Sequence, residues 1–158
     1  MSGLTIRKAT AADAGAISRF NLAMALETEG KTLIPELVDA GVRRLIGEPS
    51  LGFYVVGTDG DSIVACLLVT QEWSDWRNGL FWWIQSVFVE QGRRRQGVYS
   101  SLYEHVKELA AADPGVCGFR LYVEKDNVVA QQAYAALGMG ATDYLLYEEL
   151  RPGVRYFK

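Results

Sequence analysis

Hydrophobic and polar positions change their period several times along the chain, and each change marks a different element. Leu4–Ala9 has the pattern of a short strand, and Thr10 followed by Asp13 is a capping-box pattern that predicts a helix from about residue 11. A second helix is predicted from Pro35, because apolar residues recur at helical spacing as far as Ile46. The first third of the chain is therefore predicted to form a strand and two helices.

The middle of the chain carries the valine- and isoleucine-rich pattern of a β-meander. Gly52–Thr58 and Ser62–Thr70 are separated by an Asp-Gly pair at residues 59–60, which is typical of a hairpin turn. An Asn-Gly pair at residues 78–79 predicts a second turn, and Leu80–Val89 is predicted to be the third strand of the meander. Antiparallel pairing is expected for strands joined this closely.

Helices and strands alternate in the last part of the chain. The pattern predicts a helix over Gly97–Ala112, a strand over Cys117–Val123, a helix over Asn127–Leu137 and a last strand over Asp143–Glu149. The element order is β-α-α-β-β-β-α-β-α-β, which predicts a mixed α/β (α+β) fold with a mostly antiparallel central sheet and flanking helices. No repeat or linker interrupts it, so one domain over residues 1–158 is expected.

Composition narrows the kinds of chemistry that this chain can carry. Its 158 residues include one histidine and two cysteines, which argues against a Ser-His-Asp protease, a multi-histidine metal site and a disulfide scaffold. The net charge of −3 argues against a general nucleic-acid binder. We therefore expect no metal and no nucleic-acid partner, and Cys66 and Cys117 are expected to be buried free thiols within strands.

The apolar runs are short. Ile63–Val69 falls far below the ~20 residues of a membrane helix, and charged residues at positions 7, 8 and 13 interrupt any secretory h-region. A cytoplasmic protein with no membrane partner is the expectation.

Glycine and arginine dominate the segment between the third meander strand and the following helix. The N–H groups of a helix N-terminus have no partner inside the helix, and the helix dipole favours an anion there. Gly97 would allow a phosphate to approach the backbone closely, and Arg94 and Arg95 add positive charge. On spacing alone, a solvated arginine run on a surface loop explains the pattern equally well.

Here the sequence resembles a known family. Arg94-x-x-Gly97-x-Tyr99, after an apolar strand and before an amphipathic helix, resembles the acyl-CoA pyrophosphate motif Gln/Arg-x-x-Gly-x-Gly/Ala of the GNAT acyltransferases. Tyr99 departs from that motif, because it stands where the family has a small residue. The resemblance extends over essentially the whole chain, including the opening residues 6–13.

A second motif agrees with the first. Asn127-x-x-Ala130-x-x-x-Tyr134-x-x-x-Gly138 resembles a later signature of the same family. The resemblance implies an N-acetyltransferase that moves the acetyl group of acetyl-CoA directly to a primary amine of a small molecule, such as an amine, a polyamine or an amino-acid-like compound. The alternatives are a non-catalytic acyl-CoA-binding regulatory module, and an acetyltransferase acting on protein lysines or N-termini.

The resemblance also implies roles for individual residues. A bulge near Gln85 and Ser86 would direct the amides of Val87 and Val89 toward the thioester carbonyl and the pantetheine arm. Tyr134 would give its proton to the departing thiolate, since tyrosine with a pKa of ~10 is protonated at neutral pH. The implied donor-binding residues are Val87, Phe88, Val89, Arg94, Arg95, Gln96, Gly97, Val98, Tyr99, Ser100, Asn127, Ala130 and Tyr134.

The general base and the acceptor residues are less defined. Glu72 and then Glu27 are the favoured carboxylates, Glu29 is a further candidate, and a water chain would also serve. Trp83 stands where some relatives carry a catalytic glutamate, and Gln85 either orients the acceptor or a water, or pairs with neighbouring backbone.

All four tryptophans fall within residues 73–83. Trp73, Asp75 and Trp83 are candidate acceptor contacts, because aromatic rings beside carboxylates can bind a cationic amine. Aromatic core or a dimer face is the alternative, and the aromatic hairpin is compatible with a homodimer.

Overall fold

The structure is a computed structural model that describes residues 3–158. The chain divides into two compact units, one formed by residues up to Leu121 together with Phe157–Lys158, the other by Tyr122–Tyr156. In chain order, the elements are β1 Leu4–Lys8, α1 Ala14–Glu29, α2 Pro35–Gly47, β2 Phe53–Asp59, β3 Ser62–Ser74, β4 Gly79–Val89, α3 Val98–Ala111, β5 Val116–Arg120 and α4 Val128–Ala136.

The five strands form one sheet in the order β1-β2-β3-β4-β5. Strands β1 to β4 pair antiparallel, and β5 pairs parallel to β4. A parallel pair needs a crossover connection, and α3 supplies it. The predicted mixed, mostly antiparallel sheet is therefore confirmed.

A capping box at the start of the first helix is also confirmed. Asp13 Oδ2 accepts from the Thr10 amide at 2.7 Å, and Arg7 binds both Asp13 oxygens at 2.7 and 3.0 Å. These hydrogen bonds, led by those from Arg7, hold the pKa of the buried Asp13 below its usual range. The box closes a short 3-10 turn, Ala11–Asp13, that continues directly into α1.

Helices cover both faces of the sheet. On one face, Ile17 and Phe20 of α1 pack in a cluster with alternate strand residues, such as Val56 and Leu68. Strand residues one position away point to the opposite face. There, α3 packs against β1 to β4 through a buried row that includes Leu102. The α1 and α2 side is called the α1 face below.

Two expectations for the later part of the chain are wrong. Strand β5 ends at Arg120, before the predicted Val123, and Asp143–Glu149 forms no strand. That second segment has the right apolar residues, but Tyr147 is 88% exposed and the described part of its unit contains no neighbouring strand. A strand is stable only in a hydrogen-bonded ladder, so the pattern alone is not sufficient.

The two cysteines differ. Cys66 is fully buried, and burial raises the pKa of its thiol to about 12, as expected for a small core residue. Cys117 is exposed, so its predicted burial is wrong. It lies in β5, the last strand of the sheet, where one edge has no covering strand among the described residues. Among those residues, no helix is long and apolar enough to cross a membrane.

Candidate active site

Strand β4 carries a bulge at the predicted place. Leu68 pairs with Gln85 and Cys66 pairs with Phe88, so two residues of β4 stand opposite Leu67. Ser86 takes the left-handed φ of 48°, which is uncommon for a residue other than glycine. The extra residue brings Phe88 to the α1 face, where its ring stacks on Phe20 at 4.9 Å between centroids.

The hydrogen-bonded pairing of strands β4 and β5 ends just before this bulge. Their pairing ends at Trp83 and Arg120, while β4 continues to Val89. Among the residues that the structure describes, no strand pairs with Ile84–Val89 on the side away from β3. An open strand edge presents backbone N–H and C=O groups, so an extended ligand arm can hydrogen-bond to this part of β4.

The start of α3 has the geometry of an anion site. Gly97 is its N-cap, with a left-handed φ of 78° and no side-chain cap for the first turn. The first internal helix bond runs from the Ser101 amide to the Gly97 carbonyl at 3.0 Å. The amides of residues 98–100 therefore have no acceptor inside the helix. A Cβ placed on Gly97 would meet no atom of the described residues within 4 Å, so an anion can approach the backbone here.

Two of the three loop arginines are held by carboxylates. Arg93 pairs with Asp59, and Arg94 donates to Glu27 at 2.8 Å and to the Val89 carbonyl at 2.8 Å. The interpretation of the segment as a wholly solvated arginine run is therefore wrong. Arg95 is exposed and takes a left-handed φ of 65°. Arg94 therefore links the loop to α1 and to the end of β4.

Tyr99, which departs from the family motif, packs along α3. Its ring stacks on that of Tyr103, one turn later, with 6.3 Å between centroids and 8° between planes. Tyr103 is buried and meets the Phe119 ring of β5 edge to face. The Tyr99 ring is thus on the sheet-facing side of α3, and its bulk does not cover the Gly97 backbone.

The second motif belongs to the other unit, where it builds α4. Asn127 is the N-cap of this helix, and its Oδ1 accepts from the Ala130 amide at 3.1 Å. Tyr134 lies two turns further along the same helix and is half-buried. Burial raises the pKa of the Tyr134 hydroxyl above its ordinary value, so the group is protonated and able to donate at neutral pH.

The structure separates the two favoured carboxylates. Glu27 is joined through Arg94 to the end of β4, close to the bulge. Glu72 pairs across the sheet with Phe81, four residues along β3 from the partner of Gln85, which is ~13 Å at strand spacing. Its carboxylate accepts from Arg120 at 2.6 Å. Both favoured bases are therefore already bound by an arginine, and the further candidate Glu29 accepts from Lys31 at 3.2 Å.

The residues predicted to contact the acceptor also lie on different parts of the structure. Gln85 donates from Nε2 to the Thr70 hydroxyl at 2.6 Å, and Trp83 pairs with Thr70 across the sheet on the same α1 face. Trp73 is 59% exposed and points to the opposite face, because it alternates with Thr70 and Glu72. Asp75 accepts from the Trp76 amide within the hairpin turn.

The tryptophans consequently do not share one surface. Trp82 is buried, with its ring against those of Phe53 and Phe119, whereas Trp76 is 85% exposed at the hairpin turn. Trp82 is therefore a core residue, as the alternative interpretation of the tryptophans predicts for it. Trp83 is the tryptophan that lies beside Gln85 on the α1 face.

Sequence reasoning did not select three residues of this face, namely Thr70, Phe81 and Arg120. The one available signal was an arginine at the end of the apolar run Val116–Phe119. Its partner Glu72 is 48 residues away in sequence, so only the sheet register brings the two together.

A bulged β4 that leads through a glycine-containing loop into the open N-terminus of α3 is an arrangement that can bind an anionic ligand with an extended arm through backbone amides. A family model described as the Acetyltransferase (GNAT) family matches residues 22–139. The chain therefore belongs to the GNAT acetyltransferase family and is a GNAT-type acyltransferase, as its two motifs predicted.

Solved structures agree with this assignment. A possible acetyltransferase from Clostridium difficile 630 is 42% identical, with 94% of this chain and 97% of that chain covered and a TM-score of 0.88. An aminoglycoside acetyltransferase from an uncultured soil metagenomic sample, in complex with sisomicin, is 15% identical, with 94% and 96% covered and a TM-score of 0.76. A GCN5-related N-acetyltransferase from Ralstonia eutropha JMP134 is 18% identical, with 93% and 99% covered and a TM-score of 0.73.

The last two likenesses concern the fold alone. None of the curated proteins matches the sequence. The family uses acetyl-CoA as its acetyl donor. Within residues 3–158, no group of three or more histidine, cysteine, aspartate or glutamate side chains is arranged to hold a metal ion.

Proposed function

We propose that this protein is an N-acetyltransferase that transfers the acetyl group of acetyl-CoA directly to a primary amine of a small molecule. The observation that carries the proposal is the open edge of the bulged β4, followed by the glycine-capped N-terminus of α3. The family match spans residues of both compact units, which supports a single acetyltransferase domain over residues 1–158.

The loop and α3 suit the diphosphate of the donor. Amides at the start of a helix bind phosphate oxygens, and the open space above Gly97 gives them access. Arg95 adds charge that no carboxylate in the described structure neutralises by an ion pair. Arg94 holds the loop against α1 and β4, so its contribution to donor binding is mainly to shape the loop.

The chain supplies two backbone amides and a tyrosine hydroxyl to the acyl transfer. The donor brings a thioester, whose C–S bond breaks as the acceptor nitrogen forms a bond to the acyl carbon. The amides of Val87 and Val89 hydrogen-bond to the thioester carbonyl oxygen, on which negative charge develops, and to the pantetheine arm. The Tyr134 hydroxyl gives its proton to the sulfur, and its raised pKa keeps that proton in place until then.

Water removes the proton from the acceptor amine in this proposal. Glu27 and Glu72 both accept charge-assisted hydrogen bonds from arginines, so each carboxylate is already engaged. Gln85 is fixed by Thr70 on the α1 face and can orient the water or the acceptor.

Replacement of Tyr134 by phenylalanine tests the proposal. A general acid contributes about 10²- to 10⁴-fold to the rate, so kcat for an acetylated amine should fall by that factor. The Kd for acetyl-CoA should remain within about twofold, because the ring is kept. Tyr147→Phe is the matched control, since this tyrosine of the same unit is 88% exposed.

Free thiol release is measured with purified protein, acetyl-CoA and a panel of amines, polyamines and amino acids. If acetyl-CoA binds but no amine causes thiol release, the protein is an acyl-CoA-binding module and not a small-molecule acetyltransferase. If an amine is acetylated and Tyr134→Phe turns over like Tyr147→Phe, Tyr134 is not the acid.

A further inference from the structure

Three charged side chains surround one aromatic ring on the α1 face of the sheet. The Arg120 guanidinium lies 3.7 Å from the centroid of the Phe81 ring, and that of Arg77 lies 4.9 Å from the same centroid. Glu72 is the carboxylate in this group, and it binds Arg120. The group is called the Phe81 platform below. Two guanidinium groups face one carboxylate, so the platform carries an excess of positive charge.

The platform is built to hold the Arg120 guanidinium in a defined place. The Phe81 ring lies directly on β5, because a Cβ added to Gly118 would be 2.8 Å from the ring carbon Cε1. The glycine therefore permits the close approach of the ring. Arg120 then stacks on the ring, with a side chain only 26% exposed. A stacked and ion-paired guanidinium loses little further freedom when it binds a ligand.

Arg120 also lies close to the bulge in β4, where the donor's acyl group is proposed to bind. It is the last residue of β5, paired with Trp83, where the β4 to β5 ladder ends. From there, β4 runs two residues further to Gln85 and the bulge, which is ~7 Å at strand spacing. A ligand group bound on the platform is thus on the same face as Gln85. A short chain of covalent bonds in the ligand could join that group to an amine at the bulge.

We propose that the Phe81 platform binds an anionic group of the acceptor, a carboxylate, and that the acceptor is accordingly an amino acid or a similar amino-carboxylate. This inference rests on the proposed transferase function and specifies its acceptor. The contact with Glu72 uses Nη1 of Arg120. A guanidinium has five N–H donors, so donors are left for a second carboxylate. Glu72 balances part of the charge until the acceptor binds.

The test compares acceptors that differ in one charge. Lysine is compared with its methyl ester and with cadaverine, and ornithine with putrescine, by the rate of thiol release with acetyl-CoA. We expect kcat/KM for the amino acid to exceed that of the ester and the diamine by roughly 10- to 100-fold, as for a charge-assisted hydrogen-bonded pair.

Three variants assign this preference to the platform. Arg120→Gln should abolish it mainly through KM for the amino acid, and Arg120→Lys should restore part of it. Glu72→Gln should increase it, because the competing carboxylate is gone. A purely structural ion pair would not produce opposite effects of Arg120→Gln and Glu72→Gln. Arg44→Gln is the matched control, since it removes an exposed arginine that pairs with Glu48 on α2.

Each outcome decides the inference. Equal rates for acid and ester, or a preference for the diamine, would overturn it and leave the transferase proposal intact. Binding of acetyl-CoA without turnover of any acceptor would overturn both. If Arg120→Gln fails to fold by circular dichroism, the result with Glu72→Gln decides: an unchanged preference counts against the platform.

Discussion

Gly97 is the residue whose replacement most directly tests how the donor site is built. It has a φ of 78° and caps α3, and a Cβ at this position would meet no atom of the described residues. Gly97→Ala therefore adds a methyl group without a clash, and it changes only the backbone preference and the access of a ligand to the amides.

The expected loss of stability follows from the left-handed φ. An alanine in that region costs about 1–2 kcal/mol, which lowers Tm by about 3–6 °C for a chain of this size. Asparagine tolerates the same region better, so Gly97→Asn should lose about half as much.

The expected loss of donor affinity has a separate cause. The new Cβ occupies the space through which a phosphate oxygen reaches the first amides of α3. Removal of one charge-assisted hydrogen bond costs about 1.5–3 kcal/mol, which weakens acetyl-CoA binding by about 10- to 100-fold. Gly97→Asn also carries a Cβ, so its affinity should fall similarly although its stability is largely kept.

Urea denaturation measures the free energy of unfolding, and isothermal titration calorimetry measures the Kd for acetyl-CoA. Gly92→Ala is the control, because Gly92 lies in the same loop, has no left-handed φ and leaves open space for a Cβ. If Gly97→Ala is no less stable than Gly92→Ala, the backbone argument is refuted. If Gly97→Ala and Gly97→Asn bind acetyl-CoA like wild type, the diphosphate does not lie on the start of α3.

Two further predictions concern acidic residues. Asp13→Asn should lower the free energy of unfolding by about 1–2 kcal/mol at pH 7, because Arg7 and the capping box stabilise the charged carboxylate. Since the folded-state pKa of Asp13 is lowered, its contribution is complete above the ordinary pKa of ~3.9 and is lost as the pH falls through the folded value. Urea denaturation at pH 7 and pH 3 should therefore show a smaller difference between wild type and variant at pH 3, and an equal difference would contradict the linkage. Glu27→Gln should raise the KM for acetyl-CoA through Arg94 and lower kcat less than about tenfold, whereas loss of a general base would cost about 10²- to 10⁴-fold and remove a limb of the pH profile. The same limit on kcat applies to Glu72→Gln.

Local patterns were sufficient for most of the fold. The capping box at Thr10 and Asp13 and the hairpin at residues 59–60 involve neighbours in sequence, and both form as predicted. The bulge at Ser86 followed from two adjacent polar residues in an apolar strand and from the family resemblance. The strand predicted over Asp143–Glu149 failed because a strand depends on its neighbour, which a local pattern does not contain.

The candidate site likewise has one part that depends on sequence neighbours and another part that depends on residues far apart in the sequence. Its backbone part, Gly97 with the start of α3, is local and was visible in the sequence. Its side-chain part depends on pairs such as Arg94 with Glu27, which are 67 residues apart, and no spacing rule relates such residues. Only the sheet register places Glu72 beside Arg120, so the sequence alone showed no sign that this carboxylate has an arginine partner.

The difference between the backbone part and the side-chain part of the site also separates donor recognition from acceptor recognition. In the proposed site, the groups that would recognise the donor are mostly backbone amides, whose positions are set by a bulge and a helix start and not by side-chain identity. Groups that would recognise the acceptor are side chains on the α1 face, and Arg120 and Glu72 form an ion pair there, so exchange of either member changes the net charge of that surface. A change at Arg120 or Glu72 can therefore redirect acceptor choice without disturbing the donor site, and the opposite shifts expected for these two variants follow from that independence.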